Sequence, residues 1–218
     1  MRRELLEELW RIPTASLSDA LDNLGIRGFM DYDIKLRTAD AKIVGFAVTI
    51  KDVPSEKKAA PLKALEAIDN AKKGDILVRA IENAEKTEIC NIGLFGGIMA
   101  LGCKKKGLAG AVIEGGVRDI SECYELKFPV FARSVVPTTS VGRTEVVGVN
   151  VPVKCGGVIV EPDDVIVGDL DGVVVIPKEK LNSVVEAARK IDELEKNVAA
   201  DLMKKAPLTE TVKKHSRI

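Results

Sequence analysis

Two adjacent residues of opposite charge, Arg118 and Asp119, are the strongest candidates for chemistry, because they follow an apolar segment and a glycine turn. Arginine offers a planar fork of donors that holds a carboxylate or a developing enolate. Aspartate offers a hard oxygen ligand for Mg²⁺ or Mn²⁺, and such an ion keeps several waters and needs few protein ligands. Ligands of α/β sheets bind at the carboxyl ends of parallel strands, where this pair is expected. The alternative is a surface ion pair in which Asp119 caps a helix.

A glycine pair, Gly96-Gly97, precedes a segment with the pattern of a helix and is the second candidate feature. The first N–H groups of a helix have no partner within it, and together with the helix dipole they attract anions. We expect the free groups near Ile98, Met99 and Ala100, where a carboxylate such as that of pyruvate would fit. A tight strand-to-helix turn without a ligand is the alternative. The candidate substrate-binding residues are therefore Gly96, Gly97, Ile98, Met99 and Arg118.

The composition disfavours several other kinds of function. The 218 residues include a single histidine, His215, so a Ser–His or Cys–His nucleophile or a His-ligated zinc site is not expected. Four cysteines without a CxxC pair predict reduced, buried thiols in a cytoplasmic protein. Lys+Arg and Asp+Glu both number 33, which disfavours direct binding of nucleic acid. No apolar run approaches the ~20 residues of a membrane helix, and no signal peptide is evident.

The elements expected to position these residues alternate along the middle of the chain. Near-continuous apolar strands at ILVRA, LAGAVI and PVFARS are separated by helices, a pattern typical of strands covered on both faces. Thr14 or Ser16 is expected to cap an early helix. Past Pro137, short Val/Ile strands joined by turns predict a β-meander. One long amphipathic helix is predicted from Lys178 onward, followed by a loosely held tail over residues 206–218.

Three segments of the chain carry a resemblance to a known family. The chain resembles the RraA-like family in TASLSDALDNLG, in GLFGGIMALGCKKKGLAGAVIEGGVRDISE and in GGVIVEPDDVIVGDLDGVVVIP. This family includes the regulator of ribonuclease E activity and the class II 4-hydroxy-4-methyl-2-oxoglutarate aldolases. The resemblance covers roughly residues 12–200. The sequence shows no linker long or polar enough to separate domains and no internal repeat, so we expect one domain over residues 1–218. The resemblance implies an α/β fold of three layers (β/β/α) of the swivelling-domain type with a long C-terminal helix. It also implies a homotrimer or a dimer of trimers with active sites between subunits.

The resemblance implies a divalent-metal-dependent lyase that acts on small 2-oxo acids. The activity would be retro-aldol cleavage of a 4-hydroxy-2-oxo acid with release of pyruvate, oxaloacetate decarboxylation, or both, with Mg²⁺ or Mn²⁺ as cofactor. In the aldolases the matching arginine binds the substrate and the matching aspartate ligates the metal, so these roles fall on Arg118 and Asp119. Glu122 completes the R-D-x-x-E/D pattern of the family and shares a helix face with Asp119, where it would either support the water shell of the metal or act as a solvated capping partner. Glu195, with Glu193 as its competitor, matches an acidic residue that a neighbouring subunit contributes to the water shell of the metal. A solvent-facing side chain is the alternative for each glutamate.

One position departs from the pattern of the aldolases. They carry an aspartate 21 positions before the arginine, and this chain has Gly97 there. Because glycine has no side chain that could hold a water, either another carboxylate takes this role or the chemistry is changed or absent. Gly97 therefore favours the alternative function, a non-catalytic RraA-like regulator that binds a ribonuclease or another protein. The intact set of Arg118, Asp119 and Glu122 favours the lyase. A menaquinone-pathway methyltransferase, a third name given to such sequences, is disfavoured because no convincing glycine-rich nucleotide motif is present.

Overall fold

The computed structural model describes residues 2–38 and 41–215, with side chains from residue 4 onward, and shows a mixed α/β chain. The helices in the described residues are α1 (Arg2–Leu9), α2 (Thr14–Asn23), α3 (Leu62–Asn70), α4 (Lys86–Ile89), α5 (Gly97–Lys106), α6 (Ile120–Glu125), α7 (Leu181–Met203) and α8 (Leu208–Lys214). The strands are β1 (Lys35–Leu36), β2 (Ile43–Pro54), β3 (Ile76–Ile81), β4 (Gly93–Phe95), β5 (Gly110–Val117), β6 (Val130–Val135), β7 (Thr144–Val149), β8 (Val153–Cys155), β9 (Val158–Val160), β10 (Val165–Gly168) and β11 (Val173–Ile176). The predicted α/β class and the long helix near the C-terminal end, the 23-residue α7, are confirmed. Neither α7 nor another helix of the described residues has the length and apolar character needed to cross a membrane.

Nine strands of the described residues form one sheet in the order β1-β6-β5-β3-β2-β10-β11, with β4 beside β5 and β7 beside β2. The strands β2, β3, β5 and β6 run parallel, and β4 is parallel to β5. Every residue of β3 and β5 is buried, which explains why their sequences are mostly apolar without alternation. The carboxyl ends of β4 and β5 meet at the same edge of the sheet.

Helices and one hairpin cover the sheet. One face, with side chains such as Leu77 and Ile113, packs against α3, α5 and α6. The opposite face, with Val78 and Val112, packs against the hairpin of β8 and β9. The strands β10 and β11 form a third core with α1, α2 and α7. The first of these cores supports the candidate site, because α5 and α6 both begin there.

The C-terminal segment differs from the loosely held tail predicted over residues 206–218. Leu208–Lys214 form α8, and Thr211 is buried. Lys214 Nζ and His215 Nε2 lie 2.7 and 3.0 Å from Asp201 Oδ2 on α7. The prediction is wrong for this helix because its opposite charges and one buried side chain hold it on α7. Residues 216–218 lie outside the described residues.

The strands past Pro137 do not form the predicted meander. Both β7 and β10 pair with β2, and β8 with β9 forms a separate two-stranded sheet. The prediction is wrong because β2 is 12 residues long, so that different parts of it can pair with β10 and with β7. Two hairpins of the predicted kind are present, β8 with β9 and β10 with β11, but pairing with the distant strand β2 prevents one continuous meander.

The start of α2 also differs from the prediction. Neither Thr14 nor Ser16 caps the helix with its side chain, since α2 already begins at Thr14. The N–H and hydroxyl groups of Thr14 instead donate to the carboxylate of Asp169, at 2.9 and 2.6 Å. Asp169 lies in the turn between β10 and β11, so the cap comes from a distant part of the chain. The predicted hairpin turn is present as well, because Asp169 and Gly172 exchange backbone hydrogen bonds.

Candidate functional site

The candidate site lies where β4 and β5 end side by side. Arg118 directly follows β5, and its N–H donates to the carbonyl oxygen of Phe95, the last residue of β4, at 2.9 Å. Asp119 comes next, in a left-handed conformation (φ 53°) that turns the chain into α6. Gly96 follows β4, and α5 begins at Gly97. The two strand ends therefore bring Arg118 and Asp119 against the turn at Gly96 and Gly97, the glycine turn of this site.

The carboxylate of Asp119 contacts the glycine turn directly. Its Oδ2 atom accepts a hydrogen bond from the N–H of Gly97 at 3.1 Å and lies 3.4 Å from Arg118 Nε. A Cβ atom on Gly96 would lie 2.7 Å from the same Oδ2 atom, so this approach depends on glycine. Asp119 occupies the N-cap position of α6, but its side chain makes no capping hydrogen bond. The carboxylate therefore faces the turn and not its own helix.

Arg118 and Asp119 line a cavity of about 200 Å³ together with the turn. Their side chains are 41% and 37% exposed, so both can reach a ligand. Apolar side chains form much of the remaining wall, and Thr139 and Ser140 add hydroxyl groups. Four of the five predicted substrate-binding residues line this cavity, namely Gly96, Ile98, Met99 and Arg118. The fifth, Gly97, lies behind them and contributes its N–H to Asp119.

The free N–H groups at the start of α5 are those of Ile98 and Met99. No acceptor among the described residues contacts either group, so both are open to an anion. The N–H of Ala100, which the sequence predicts to be free, donates to the carbonyl oxygen of Gly96 at 2.9 Å. That prediction is wrong because the helix begins at Gly97, so the free positions lie closer to the turn than predicted.

A buried arginine beneath the turn, Arg79, was not predicted from the sequence. Its Nε and Nη2 atoms donate to the two carboxylate oxygens of Asp52 at 2.8 and 2.7 Å, and both side chains are fully buried. Its Nη1 atom donates to the carbonyl oxygen of Leu94 in β4 at 2.5 Å. The sequence carried one signal for it, since Arg79 is a charged residue inside the apolar run ILVRAI. A charge buried in such a strand requires a partner of opposite charge.

Comparison with known proteins assigns the family. Residues 14–175 match the family described as "RraA-like: Aldolase/RraA". The chain belongs to the RraA-like family. An RraA-like relative from Halalkalibacterium halodurans, provisionally named a 4-hydroxy-4-methyl-2-oxoglutarate aldolase, is 34% identical over 187 residues, which span 86% of this chain and 83% of that protein. An uncharacterized protein of Methanocaldococcus jannaschii is 46% identical over 112 residues, which span 51% of this chain and 53% of that protein.

Two solved structures share this RraA-like fold. An uncharacterized protein from Pseudomonas syringae pv. tomato superposes with a TM-score of 0.84 at 29% identity and covers 96% of both chains. The Streptomyces coelicolor protein RraAS2, described as an unusual member of the RNase ES inhibitor RraA protein family, gives a TM-score of 0.77 at 28% identity. Its match covers 88% of this chain and 94% of that chain. The fold that the resemblance implies is therefore confirmed.

In this RraA-like chain, Glu122 fills the space that a side chain on residue 97 would enter. A Cβ atom on Gly97 would lie 1.8 Å from Glu122 Oε2 and 2.7 Å from Glu122 Cδ. Glu122 lies in the first turn of α6, three residues after Asp119, so both carboxylates face the start of α5. An acidic group is therefore present beside the position where the RraA-like aldolases carry aspartate.

The carboxylates of Asp119 and Glu122 are the oxygen ligands that could hold a divalent ion at this site. No hydrogen bond within the described residues uses Asp119 Oδ1, which leaves that oxygen open to an ion. The described part of the chain contains no group of three or more His, Cys, Asp or Glu residues that could hold a metal. Mg²⁺ is commonly held by one or two carboxylates together with waters and substrate oxygens, so the residues present fit such an ion.

Glu195 and Glu193 lie on α7, away from the cavity of their own chain. The Oε2 atom of Glu195 lies 3.4 Å from the hydroxyl oxygen of Ser16 on α2. Neither glutamate lines the cavity that contains Arg118. The resemblance places these glutamates at the site of a neighbouring subunit. This role stays a prediction, because it concerns a contact between subunits.

Proposed function

We propose that the protein is a divalent-metal-dependent lyase that acts on 2-oxo acids. The reaction is retro-aldol cleavage of a 4-hydroxy-2-oxo acid with release of pyruvate, decarboxylation of oxaloacetate, or both. One observation carries the proposal: the Arg118 guanidinium and the Asp119 carboxylate lie against the glycine turn and open into the same cavity as the start of α5. The names of relatives support it, since several of the matched proteins are called 4-hydroxy-4-methyl-2-oxoglutarate aldolases.

Each group around the cavity has a role in this proposal. The N–H groups of Ile98 and Met99 and the guanidinium of Arg118 bind the carboxylate of the 2-oxo acid. Arg118 also stabilises the negative charge that grows on the departing enolate, which is an interaction stronger in the transition state than in the ground state. Asp119 would hold the ion, either Mg²⁺ or Mn²⁺. When bound, such an ion polarises the keto oxygen and so supplies an electron sink for cleavage of the neighbouring C–C bond.

A subunit assembly belongs to the same proposal. As a homotrimer or a dimer of trimers, the protein would carry its active sites between subunits, and Glu195 of the partner subunit would reach the water shell of the ion. The side chain of Ile98 beside the cavity is 81% exposed in the single chain, and large exposed apolar groups are suited to burial at a protein interface.

A non-catalytic regulator is the second candidate function. Gly97 favours it, because the aldolases of the family carry a carboxylate at that position. The description of RraAS2 as an unusual member of the RNase ES inhibitor RraA protein family also favours it. In that case the protein would bind a ribonuclease or another protein partner and would have no need of the open Asp119 Oδ1 atom.

The test is turnover with and without a divalent ion. Purified protein is incubated with oxaloacetate and with 4-hydroxy-2-oxo acids, first with Mg²⁺ or Mn²⁺ and then with EDTA, and pyruvate is measured. We expect ion-dependent release of pyruvate that Arg118→Ala abolishes without a change in oligomeric state. Arg27→Ala is the matched control, because Arg27 is also an exposed arginine in an ion pair with a nearby aspartate. Absence of ion-dependent turnover on all substrates contradicts the lyase, and co-purification with a ribonuclease would then support the regulator.

A further inference from the structure

The buried guanidinium of Arg79 touches both sides of the glycine turn. On the amino-terminal side it donates to the carbonyl oxygen of Leu94 in β4 at 2.5 Å. On the carboxyl-terminal side the same Nη1 atom lies 3.8 Å from the sulfur of Met99 in the first turn of α5. Both carboxylate oxygens of Asp52 hold the guanidinium from below, and the hydroxyl of Thr144 donates to Asp52 Oδ1 at 3.0 Å.

The strand that this guanidinium holds, β4, makes few other hydrogen bonds, one of them from the N–H of Gly93 to the hydroxyl of Thr138 at 3.1 Å. β4 contains three residues and pairs with β5 only at Gly93 and Phe95, with an irregular register between them. By contrast, the strands that carry Asp52 and Arg79 pair over six consecutive positions. The ion pair is therefore not needed to hold β2 and β3 together. The hydrogen bond to Leu94 is one of the few that fix β4, beside the burial of Leu94 and Phe95.

We propose that Arg79 is a positioning residue for the site: anchored by Asp52, it fixes β4 and thereby sets the place of the free amides of α5 and of Arg118. Arg118 is connected to β4 directly, because its N–H donates to the carbonyl oxygen of Phe95, the residue after Leu94. The free N–H groups of α5 are connected to β4 as directly, because Gly96 and the first turn of α5 follow β4 in the chain. The link to substrate binding rests on the proposed function, whereas the link to the geometry of the turn does not.

Energetic considerations also separate this role from simple stabilisation. Replacing a buried ion pair by apolar residues of similar volume is often neutral or favourable for stability, so burial of Arg79 with Asp52 is weak evidence of a purely stabilising purpose. A guanidinium has five donors in a fixed plane, and a lysine in its place would have a single nitrogen. That nitrogen could not hold both oxygens of Asp52 and the carbonyl of Leu94 in the same geometry.

The experiment compares Arg79→Lys with Arg133→Lys. Arg133 is a matched control, because it is 3% exposed, lies on β6 of the same sheet and is held by Glu114 at 2.6 Å, but it has no hydrogen bond to β4. Amide hydrogen exchange is followed by NMR at Gly97 and Arg118 under conditions where both variants are equally folded. We expect exchange at these two amides to be about tenfold faster in Arg79→Lys and unchanged in Arg133→Lys. Equal exchange in the two variants overturns the proposal.

A second variant serves if Arg79→Lys does not fold. The pair Asp52→Leu with Arg79→Met removes both charges together and leaves an apolar core. It is expected to fold and still to show about tenfold faster exchange at Gly97 and Arg118, because Leu94 has lost its donor. Thr144→Val is its control, since it removes one hydrogen bond to Asp52 and leaves the bond from Arg79 to Leu94 in place. Wild-type exchange in the double variant overturns the proposal.

Turnover separates this inference from the proposed function. With a 2-oxo acid and Mg²⁺, we expect Arg79→Lys to raise KM by about tenfold with a smaller change in kcat, since the binding groups are displaced but still present. An unchanged KM in a variant with faster exchange overturns the link to substrate binding. If the wild-type protein turns over none of the substrates, the lyase fails, while faster exchange in Arg79→Lys still supports the role of Arg79 in fixing the turn.

Discussion

A methyl group on residue 97 tests the position of the Glu122 carboxylate. The Cβ atom of Gly97→Ala would lie 1.8 Å from Glu122 Oε2, 2.7 Å from Cδ and 3.2 Å from Cβ. These atoms belong to one exposed side chain, so rotation of Glu122 relieves the clash at a cost of about 0.5–1.5 kcal/mol. Replacing a helical glycine by alanine stabilises by about 0.4–1 kcal/mol, because the unfolded chain loses freedom. The two effects nearly cancel, and we expect the free energy of unfolding to change by less than about 1 kcal/mol.

The same substitution in a Glu122→Ala background has no carboxylate to displace. It is then expected to stabilise the protein by about 0.4–1 kcal/mol, so the two backgrounds differ by a coupling of about 0.5–1.5 kcal/mol. Urea unfolding of the four chains measures this coupling, provided that the m values agree. Gly102→Ala in the same helix is the control, because its Cβ would meet only Ile68 Cγ2, at 3.8 Å. A coupling within about 0.3 kcal/mol of zero refutes the reasoning.

The same pair of positions tests whether this carboxylate assists an ion. Gly97→Asp combined with Glu122→Ala moves the carboxylate from α6 to α5. Under the proposed function, the affinity for Mn²⁺, measured by electron paramagnetic resonance, falls in Glu122→Ala and recovers in the double variant. Equal affinity in all three proteins would show that no carboxylate beside residue 97 takes part in holding the ion.

Three further predictions concern other parts of the chain. Asp169→Ala is expected to lower the free energy of unfolding by about 1–2 kcal/mol in urea, because the first turn of α2 loses its cap, whereas Asp171→Ala has little effect. Hydrogen bonds from Lys214 and His215 lower the pKa of Asp201 to about 2, from an ordinary value of 3.8, so this contact is intact above about pH 4. The protection factors of the α8 amides, which remove the intrinsic pH dependence of hydrogen exchange, should therefore fall as the pH falls from 4 toward 2. Burial raises the pKa of the Cys103 thiol to about 12, so iodoacetamide at about pH 8 should label the half-buried Cys90 first, as mass spectrometry would show.

The sequence predicts the parts of the site that depend on local pattern. The apolar run of β5 and the charges that follow it place Arg118 and Asp119 at a strand end, and the glycine pair places the start of α5. Both inferences use neighbouring residues only, because strands, turns and helix starts are encoded over a few positions. The glycine turn predicted just before Arg118 is wrong, because Gly115 and Gly116 belong to β5. The start of α5 differs by a single residue, which is the usual margin for a helix end.

Contacts between distant residues could not be predicted in this way. Thr14 and Asp169 are 155 positions apart, and Arg79 and Leu94 meet because β3 and β4 both pair with β5. Strand order is set by the packing of whole layers, so a single sequence without its fold does not say which residues become partners. The contact between Glu122 and Gly97 could not be predicted either, since it depends on how α5 and α6 pack against each other.

The backbone at Asp119 indicates that this position is held for its side chain. A left-handed conformation is costly for a residue with a Cβ atom, and glycine would adopt it without strain. Aspartate tolerates it better than most residues, and here its carboxylate bonds to the N–H of Gly97 on a different helix. That bond uses Oδ2 and offsets part of the backbone strain, and no hydrogen bond within the described residues uses Oδ1. Other non-glycine residues with a positive φ in the described part of the chain include Lys127 and Lys205, so the conformation by itself does not point to a ligand. What distinguishes Asp119 is its hydrogen bond to Gly97, because that bond ties the turn into α6 to the start of α5.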